Sequence, residues 1–394
     1  MQSIHIGEGG RHFVDEDGEP FFWLGDTQWE LFCALPPEDA DAVLGRRKEQ
    51  GFNVFQVMVT GVGDGSRPNA AGEAPWLGDD PATPNDAYFR NVDRVVEAAG
   101  QRGLILVLGV YHQVQRERIT PANARPYARW LAERYAEAPH VVWTMYPEAK
   151  EEYVPVLREL AAGLREGDGG AHMITVHPDP SPTSSSFIHE EEWLDFNMIQ
   201  TWHDVQLIHP MVSADYARTP VKPVVMAEGK YEAAVPDEER PDFEVRRQAY
   251  WSYLAGGGHS YGHGANWRAP TTWRDWIESP GARSLTVCRH VLTGVDGWWR
   301  LVPDQSLIAA GEGEGLTLNA AARSAGAGWA LVYLSGPATV TLRTDALTAD
   351  RASWIDPATG EAHPIGELPT GGREEFRAPE GWPDALLLLE GSGA

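Results

Sequence analysis

Two glutamates each close a short apolar run: Val141-Val-Trp-Thr-Met-Tyr-Pro-Glu148 and Pro223-Val-Val-Met-Ala-Glu228. Both runs have the length and unbroken apolar character of a strand buried on both faces. A pair of carboxyl groups held at the ends of two such strands has a specific chemistry open to it. At a separation of about 5–5.5 Å the two cannot both ionise easily. One is then held protonated and donates to a leaving oxygen, while the other attacks an acetal carbon. In that scheme Glu148 is the acid/base and Glu228 the nucleophile of a retaining glycosidase.

Such a pair needs a frame that brings strand ends together. Strand-like runs recur at residues 21–26, 53–59, 104–111, 141–146, 172–177, 196–202, 223–227 and 258–263. Helical patterns at 36–51, 86–101, 122–137, 153–165, 243–255 and 273–292 lie between them. Pro36-Pro-Glu-Asp opens the first helix and Gly51 closes it, while Phe89, Val92, Val95, Val96 and Ala99 share one face of the second. Eight strands alternating with helices predict an α/β fold, a (β/α)8 TIM barrel, with the two glutamates at the C-terminal ends of strands four and seven. A doubly wound sheet would carry a glycine-rich phosphate loop after its first strand, where this chain reads Gly25-Asp-Thr-Gln-Trp29.

Near residue 300 the pattern changes. Short strand-like runs at 329–334, 338–343, 352–355 and 385–389 are separated by turn signals at 335–337, 356–360 and 370–372. The expected organisation is a catalytic barrel over residues 1–300 and a small antiparallel β-sandwich over 301–394.

Barrel sites form at strand C-terminal ends. Those ends supply Asp26, Trp29, Gln56, His112, Tyr146, His177, Gln200, Trp202, His203, Tyr231, Tyr261 and His263 as substrate-binding candidates around the two glutamates. Mixed donors and acceptors among aromatic rings suit a sugar, whose hydroxyls do both and whose C–H faces stack on rings. Tyr231 and His203 are candidates to orient Glu228. Trp23, Trp143, Trp251 and Trp276 are expected in the core.

The formal net charge of −25 argues against nucleic acid or an anionic membrane as partner, leaving a neutral carbohydrate or small glycoside. Cys33 and Cys288 are expected as two buried thiols. No basic segment followed by an apolar run opens the chain, so a cytoplasmic protein is expected, with a trimmed secreted one as the alternative. No oligomeric state is implied. Neither a Gly-x-Ser-x-Gly elbow, a His-Glu-x-x-His pair nor a P-loop occurs. No cofactor and no metal are implied, although a metal-dependent hydrolase remains the rival if Asp26, His112, His177, His203 and His263 converge. A non-catalytic carbohydrate-binding barrel is the rival from outside enzymology.

Several stretches together resemble the apiosidase-like glycoside hydrolases, family 140. They include Pro20-Phe-Phe-Trp-Leu-Gly-Asp-Thr-Gln-Trp-Glu-Leu31, His172-Met-Ile-Thr-Val-His-Pro178, Lys222-Pro-Val-Val-Met-Ala-Glu228 with Tyr231-Glu232, and Trp298-Trp-Arg-Leu-Val-Pro-Asp-Gln305. The resemblance implies a barrel plus a small sandwich and retaining, exo-type removal of a terminal apiose. It places the nucleophile on Glu228 and the acid/base on Glu148, where the family usually reads Gly-Gly-Asp and this chain reads Tyr-Pro-Glu. Arabinofuranosidase and galactofuranosidase activities are the alternatives within the class.

Overall fold

The computed structural model describes residues 2–146, 150–181, 183–234, 239–368 and 372–391. The chain opens with a small antiparallel sheet of β1 (Ile4–Ile6), β2 (Phe13–Asp15) and β3 (Pro20–Phe21). Eight strands then close a barrel: β4 (Leu24–Thr27), β5 (Val54–Met58), β6 (Ile105–His112), β7 (Val141–Tyr146), β8 (Ile174–Val176), β9 (Phe196–Gln200), β10 (Val224–Glu228) and β11 (Gly258–Tyr261). Every pairing is parallel, and β11 returns to β4 through Tyr261 opposite Asp26. The expected (β/α)8 barrel is the observed one.

Helices fill the crossovers. α1 (Leu31–Ala34) and α2 (Pro37–Glu49) follow β4, α3 (Asp86–Gln101) follows β5, α4 (Ala124–Tyr135) follows β6 and α5 (Val154–Asp168) follows β7. α6 (Ser185–Ile188), α7 (Ile208–Tyr216), α8 (Pro241–Leu254) and α9 (Pro280–Thr293) complete the circuit. α2 starts on a proline, carries Glu38 and Asp39 in its first turn and Arg46, Arg47 and Lys48 in its last, as the helix dipole favours. Gly51 then turns the chain at φ +90°, a region closed to most side chains. α3 is capped by the Asn85 side chain and buries Phe89, Val92, Val95, Val96 and Ala99.

The barrel interior is packed, not hollow. Val54, Ile105, Val107, Val142, Phe196, Met198, Val225 and Ala227 meet inside it, and Phe13, Phe21 and Trp23 join them from the N-terminal side. Each of the valine, isoleucine, phenylalanine and methionine side chains contributes about 1.5–3 kcal/mol by leaving water. The solid interior leaves the C-terminal rim as the place for a site.

Two element boundaries differ from the sequence pattern. The run at 21–26 is not one strand: β3 ends the opening sheet and β4 starts the barrel. The helical pattern at 273–292 breaks before Pro280, because the residue preceding a proline is pushed out of helical geometry, and Ser279 is extended at φ −62°, ψ 153°.

The C-terminal part pairs β12 (Leu301–Pro303), β14 (Ala320–Ser324), β15 (Trp329–Leu334), β20 (Ala385–Glu390), β17 (Arg351–Ile355) and β18 (Ala362–Glu367) in one antiparallel sheet. A second sheet holds β13 (Ile308–Ala310), β16 (Thr339–Arg343) and β19 (Arg373–Arg377). Leu307, Val332, Val340, Trp354 and Leu387 form the core of this part. Both cysteines are free and buried. Trp23, Trp143 and Trp251 are buried as expected, whereas Trp276 is 41% exposed.

The two parts share a core. Tyr250 of α8 stacks on Tyr333 of β15 with ring centroids 4.7 Å apart. Arg246 of α8 holds Asp384 with two bonds of 2.8 and 2.7 Å, both side chains being almost wholly buried. Removing one partner strands the other in a dry interior, so Asp384→Ala is expected to cost about 3 kcal/mol, the low end for a buried pair because Asp242 still reaches Arg246. Glu390→Gln at the exposed pair with Arg351 is expected to cost under about 1 kcal/mol, and urea denaturation of both variants measures the contrast.

Candidate functional site

Glu228 owes its aim to an irregularity in β10. Along β10, Val225 and Ala227 face the barrel interior, whereas Val224 and Met226 face the helices. Strict alternation would send Glu228 outward with Met226. The pairing with β9 instead skips a residue: Met226 lies opposite Ile199, and Glu228 lies opposite Gln200, next after Met198 on the inward register. One extra residue in a strand re-aims the side chain that follows, and here it brings Glu228 inward. Gln56 of β5 donates to the carbonyl of the skipped Ala227 at 2.9 Å and fixes the kink. A similar shift in β6, between Gly109 and Tyr111, sets His112 opposite Tyr146.

Around Glu228 the rim forms a cleft of about 450 Å³. Trp29, His112, Tyr146, Trp202, His203 and Tyr231 line it, together with Met58, Val62, Gln113, Asp179, Lys230, Trp267 and Arg268. The rings are mutually packed: Tyr146 lies 4.5 Å from His177, 4.8 Å from His112 and 5.9 Å from Trp29. The Trp29 indole donates to the Tyr231 hydroxyl at 2.8 Å. The Gln200 amide, with its nitrogen toward the Pro178 carbonyl, accepts from Tyr146 at 3.0 Å.

The carboxyl of Glu228 is 6% exposed and is met by neutral groups. Trp202 Nε1 donates to its Oε1 at 3.1 Å and is shared with the Gln200 amide oxygen. His177 Nε2 stands 3.4 Å from Oε2. Burial holds the His177 imidazole down at about 3, so it is neutral at ordinary pH. Its Nδ1 faces the Pro178 carbonyl at 3.2 Å; a carbonyl only accepts, so the ring proton sits on Nδ1 and Nε2 offers a lone pair toward Glu228. Desolvation pushes Glu228 up to about 7. Hydrogen bonding from Tyr231, Trp202 and Trp29 opposes the rise, and the nearby charge of Asp179 adds to it. The result is a carboxyl poised near neutrality.

Trp202 adopts φ +47°, a left-handed conformation that costs a tryptophan about 1–3 kcal/mol and that clusters at functional sites. The strained turn places its indole N–H on Glu228 while leaving the residue 47% exposed at the cleft mouth.

The remaining sequence candidates fall elsewhere. His177 and Gln200 stand behind the lining rings. Asp26 is wholly buried, bonded to Arg47 and Gln28 at 2.7 Å each, so the expected substrate contact is replaced by an internal ion pair. Tyr261 donates to Glu232 behind the cleft, and His263 accepts from the backbone N–H groups of Ala265 and Asn266. Glu148 lies outside the described residues. Asp179 is a carboxylate that strand-end counting missed; it follows His177-Pro178 after β8, two residues past the point where that count stopped. The metal alternative needed Asp26 and four histidines to converge, and among the described residues no group of three His, Cys, Asp or Glu side chains is placed to hold an ion. No helix among them is long and apolar enough to cross a membrane.

Residues 7–299 match the family described as "Apiosidase-like, catalytic domain". The chain belongs to the apiosidase-like family. In this apiosidase-like chain, residues 302–390 match a second family, described as the conjectured collagen-binding domain of a collagenase. No curated protein matches the chain. A solved glycoside hydrolase is 25% identical over 100% of this chain and 97% of its own, with a TM-score of 0.90. A glycoside hydrolase family 5 structure from Bacteroides vulgatus is 27% identical over 100% and 94%, with a TM-score of 0.89. A β-L-arabinopyranosidase of family 27 from Geobacillus stearothermophilus shares the fold alone, at 12% identity and a TM-score of 0.59 over 94% and 97%. The apiosidase-like chain is thus a glycoside hydrolase, and a carbohydrate is its substrate.

A raised carboxyl carries a stability signature. Between the ordinary glutamate value and about 7 the folded protein holds a proton on Glu228 that the unfolded chain has lost, so stability falls as pH rises through this window. Glu228→Gln removes that penalty. The variant is expected to be about 1–3 kcal/mol more stable than wild type at pH 8 and equal to it near pH 4.5, as read by denaturant titration at the two pH values.

Proposed function

We propose that this glycoside hydrolase removes a terminal apiose from plant glycosides, acting from the non-reducing end with retention at the anomeric carbon. Glu228 is the nucleophile and Glu148 the acid/base. The observation that carries the reading is the buried Glu228 carboxyl at an aromatic-lined cleft of about 450 Å³, which has room for a sugar. Membership of the apiosidase-like family supports apiose over other furanoses.

In the first step the Glu228 carboxylate bonds to the anomeric carbon as the glycosidic C–O bond breaks, and the Glu148 carboxyl protonates the departing oxygen. In the second, Glu148 takes a proton from water, whose oxygen attacks the same carbon and releases Glu228. Trp202 and Tyr231 hold the Glu228 oxygens in place, and the Trp29 and Tyr146 rings offer apolar faces to the sugar. Neutral His177 can accept a hydrogen bond but brings no positive charge that would lower the nucleophile's basicity.

A panel of aryl β-D-apiofuranoside, α-L-arabinofuranoside and β-D-galactofuranoside, with NMR of the first product anomer, tests the reading. Rapid turnover of the apioside with the substrate's own anomeric configuration is expected; the opposite anomer would refute retention. On the acid side kcat/KM should fall as pH drops through about 7, because Glu228 must be ionised to attack.

Variants assign the roles. Glu228→Gln should lose at least ~10³-fold in kcat. Glu148→Gln should lose most on poor leaving groups and recover with azide. If Asp179→Asn shows that pattern instead, the acid lies after β8 and the assignment to Glu148 is wrong.

A further inference from the structure

Next to the cleft runs a second, wider groove of about 970 Å³. The two spaces meet along Ala234, Gly264 and Arg268, which line both. We propose that this groove is a subsite for a pyranose ring in the leaving group of the substrate, with Trp276 as its stacking platform. The proposal rests on the reading of the Glu228 cleft as the place where the terminal sugar is cut.

The boundary between the spaces is low and fixed. A Cβ on Gly264 would stand 2.5 Å from the Ala233 carbonyl oxygen, so a larger residue cannot rise there without moving backbone. Arg268 spans the junction, its guanidinium 4.3 Å from the centre of the Trp267 ring and Nη1 donating to the Gly264 carbonyl at 3.3 Å. Trp267 belongs to the cleft and Arg268 to both spaces.

In the groove, Trp276 is 41% exposed. A single exposed tryptophan needs no explanation on a protein surface. This one is held in place. Its ring lies 5.6 Å from that of buried His263, which is itself fixed by backbone N–H groups at 3.1 and 3.3 Å, and its backbone N–H bonds Trp273 at 3.2 Å. Arg268, Thr272 and Asp275 stand around the same space as donors and acceptors. An anchored apolar ring face bordered by polar groups is complementary to a pyranose, with C–H bonds on its face and hydroxyls on its edge.

The direction of the substrate follows from the layout. The terminal sugar must bring its anomeric carbon to Glu228, which lines the cleft and not the groove. What extends past Gly264 and Arg268 is therefore the part beyond the bond that breaks.

Two substrates that differ only in that part test the proposal: methyl β-D-apiofuranoside and methyl β-D-apiofuranosyl-(1→6)-β-D-glucopyranoside. For Trp276→Ala, KM on the disaccharide glycoside should rise about tenfold, with kcat/KM on the simple methyl apioside within about twofold of wild type. Trp276→Phe, which keeps an aromatic face, should recover most of the difference. Equal losses on both substrates, or no loss on the longer one, overturn the subsite.

If wild type cleaves neither substrate, the proposed function fails separately. The groove is then judged by calorimetric titration of wild type and Trp276→Ala with cellobiose. Binding by wild type that the variant loses upholds the subsite. No binding by wild type, or equal binding by both, overturns it.

Discussion

A carboxyl group carried into the dry rim of a barrel, and kept there with no lysine or arginine paired to it among the described residues, is the constraint around which the site is arranged. Water would hold the Glu228 carboxylate better than the protein does, which is why its proton affinity rises toward neutrality. The partners that limit the rise are neutral donors: the Trp202 and Trp29 indoles and the Tyr231 hydroxyl. A neutral shell leaves a carboxylate basic, whereas a bound guanidinium would quench it. The cost appears as backbone irregularity, in the skipped residue of β10 and the left-handed turn at Trp202.

Other buried carboxylates in the molecule show the opposite solution. Asp26 is closed against Arg47 at 2.7 Å, and Asp384 against Arg246 at 2.7 Å, in each case with both side chains out of water. Glu232 accepts from Tyr261 and from the Gly281 N–H. Asp26 and Asp384 are compensated charges and Glu232 a fully bonded one, positioned to hold strands and helices together. The contrast separates structure from chemistry more sharply than position does, since Asp26, Glu228 and Glu232 all lie at or just past barrel strand ends.

How much of this could be read in the sequence depended on which force dominates each element. The barrel strands were legible because they are buried on both faces and written as unbroken apolar runs, VFQVM and VVMAE among them. Strands β18, AHPIGE, and β19, REEFR, were not: one is exposed along its whole length and the other mostly polar, and their pairing rests on backbone bonds that leave no apolar alternation. β14, AAARS, is equally silent because alanine suits a helix as well as a strand. In the site, strand-end counting found Glu228 and its rings. It could not separate Asp26 from them, because Arg47 arrives from α2, 21 residues away in sequence. It placed Trp276 in the core because composition says nothing about which tryptophan a loop leaves in the open.

The C-terminal sandwich completes the physical chain to the site. α8 is buried along its whole second half, Val245 through Leu254, including Arg246, Arg247 and Gln248. A helix buried all round must be covered on two sides. The barrel covers one, and the sandwich covers the other through Tyr333, Asp384 and the Leu318 carbonyl that accepts from Trp251 at 3.0 Å. From the same helix Gln248 accepts from the Lys230 N–H at 2.8 Å and donates to its carbonyl at 3.1 Å, gripping the chain two residues past Glu228. Stripped of the sandwich, α8 would expose Tyr250 and a paired arginine to water and loosen its hold on that turn. The match to a domain named for collagen binding therefore sits on a module whose first physical task here is to seat the helix that steadies the Glu228 strand.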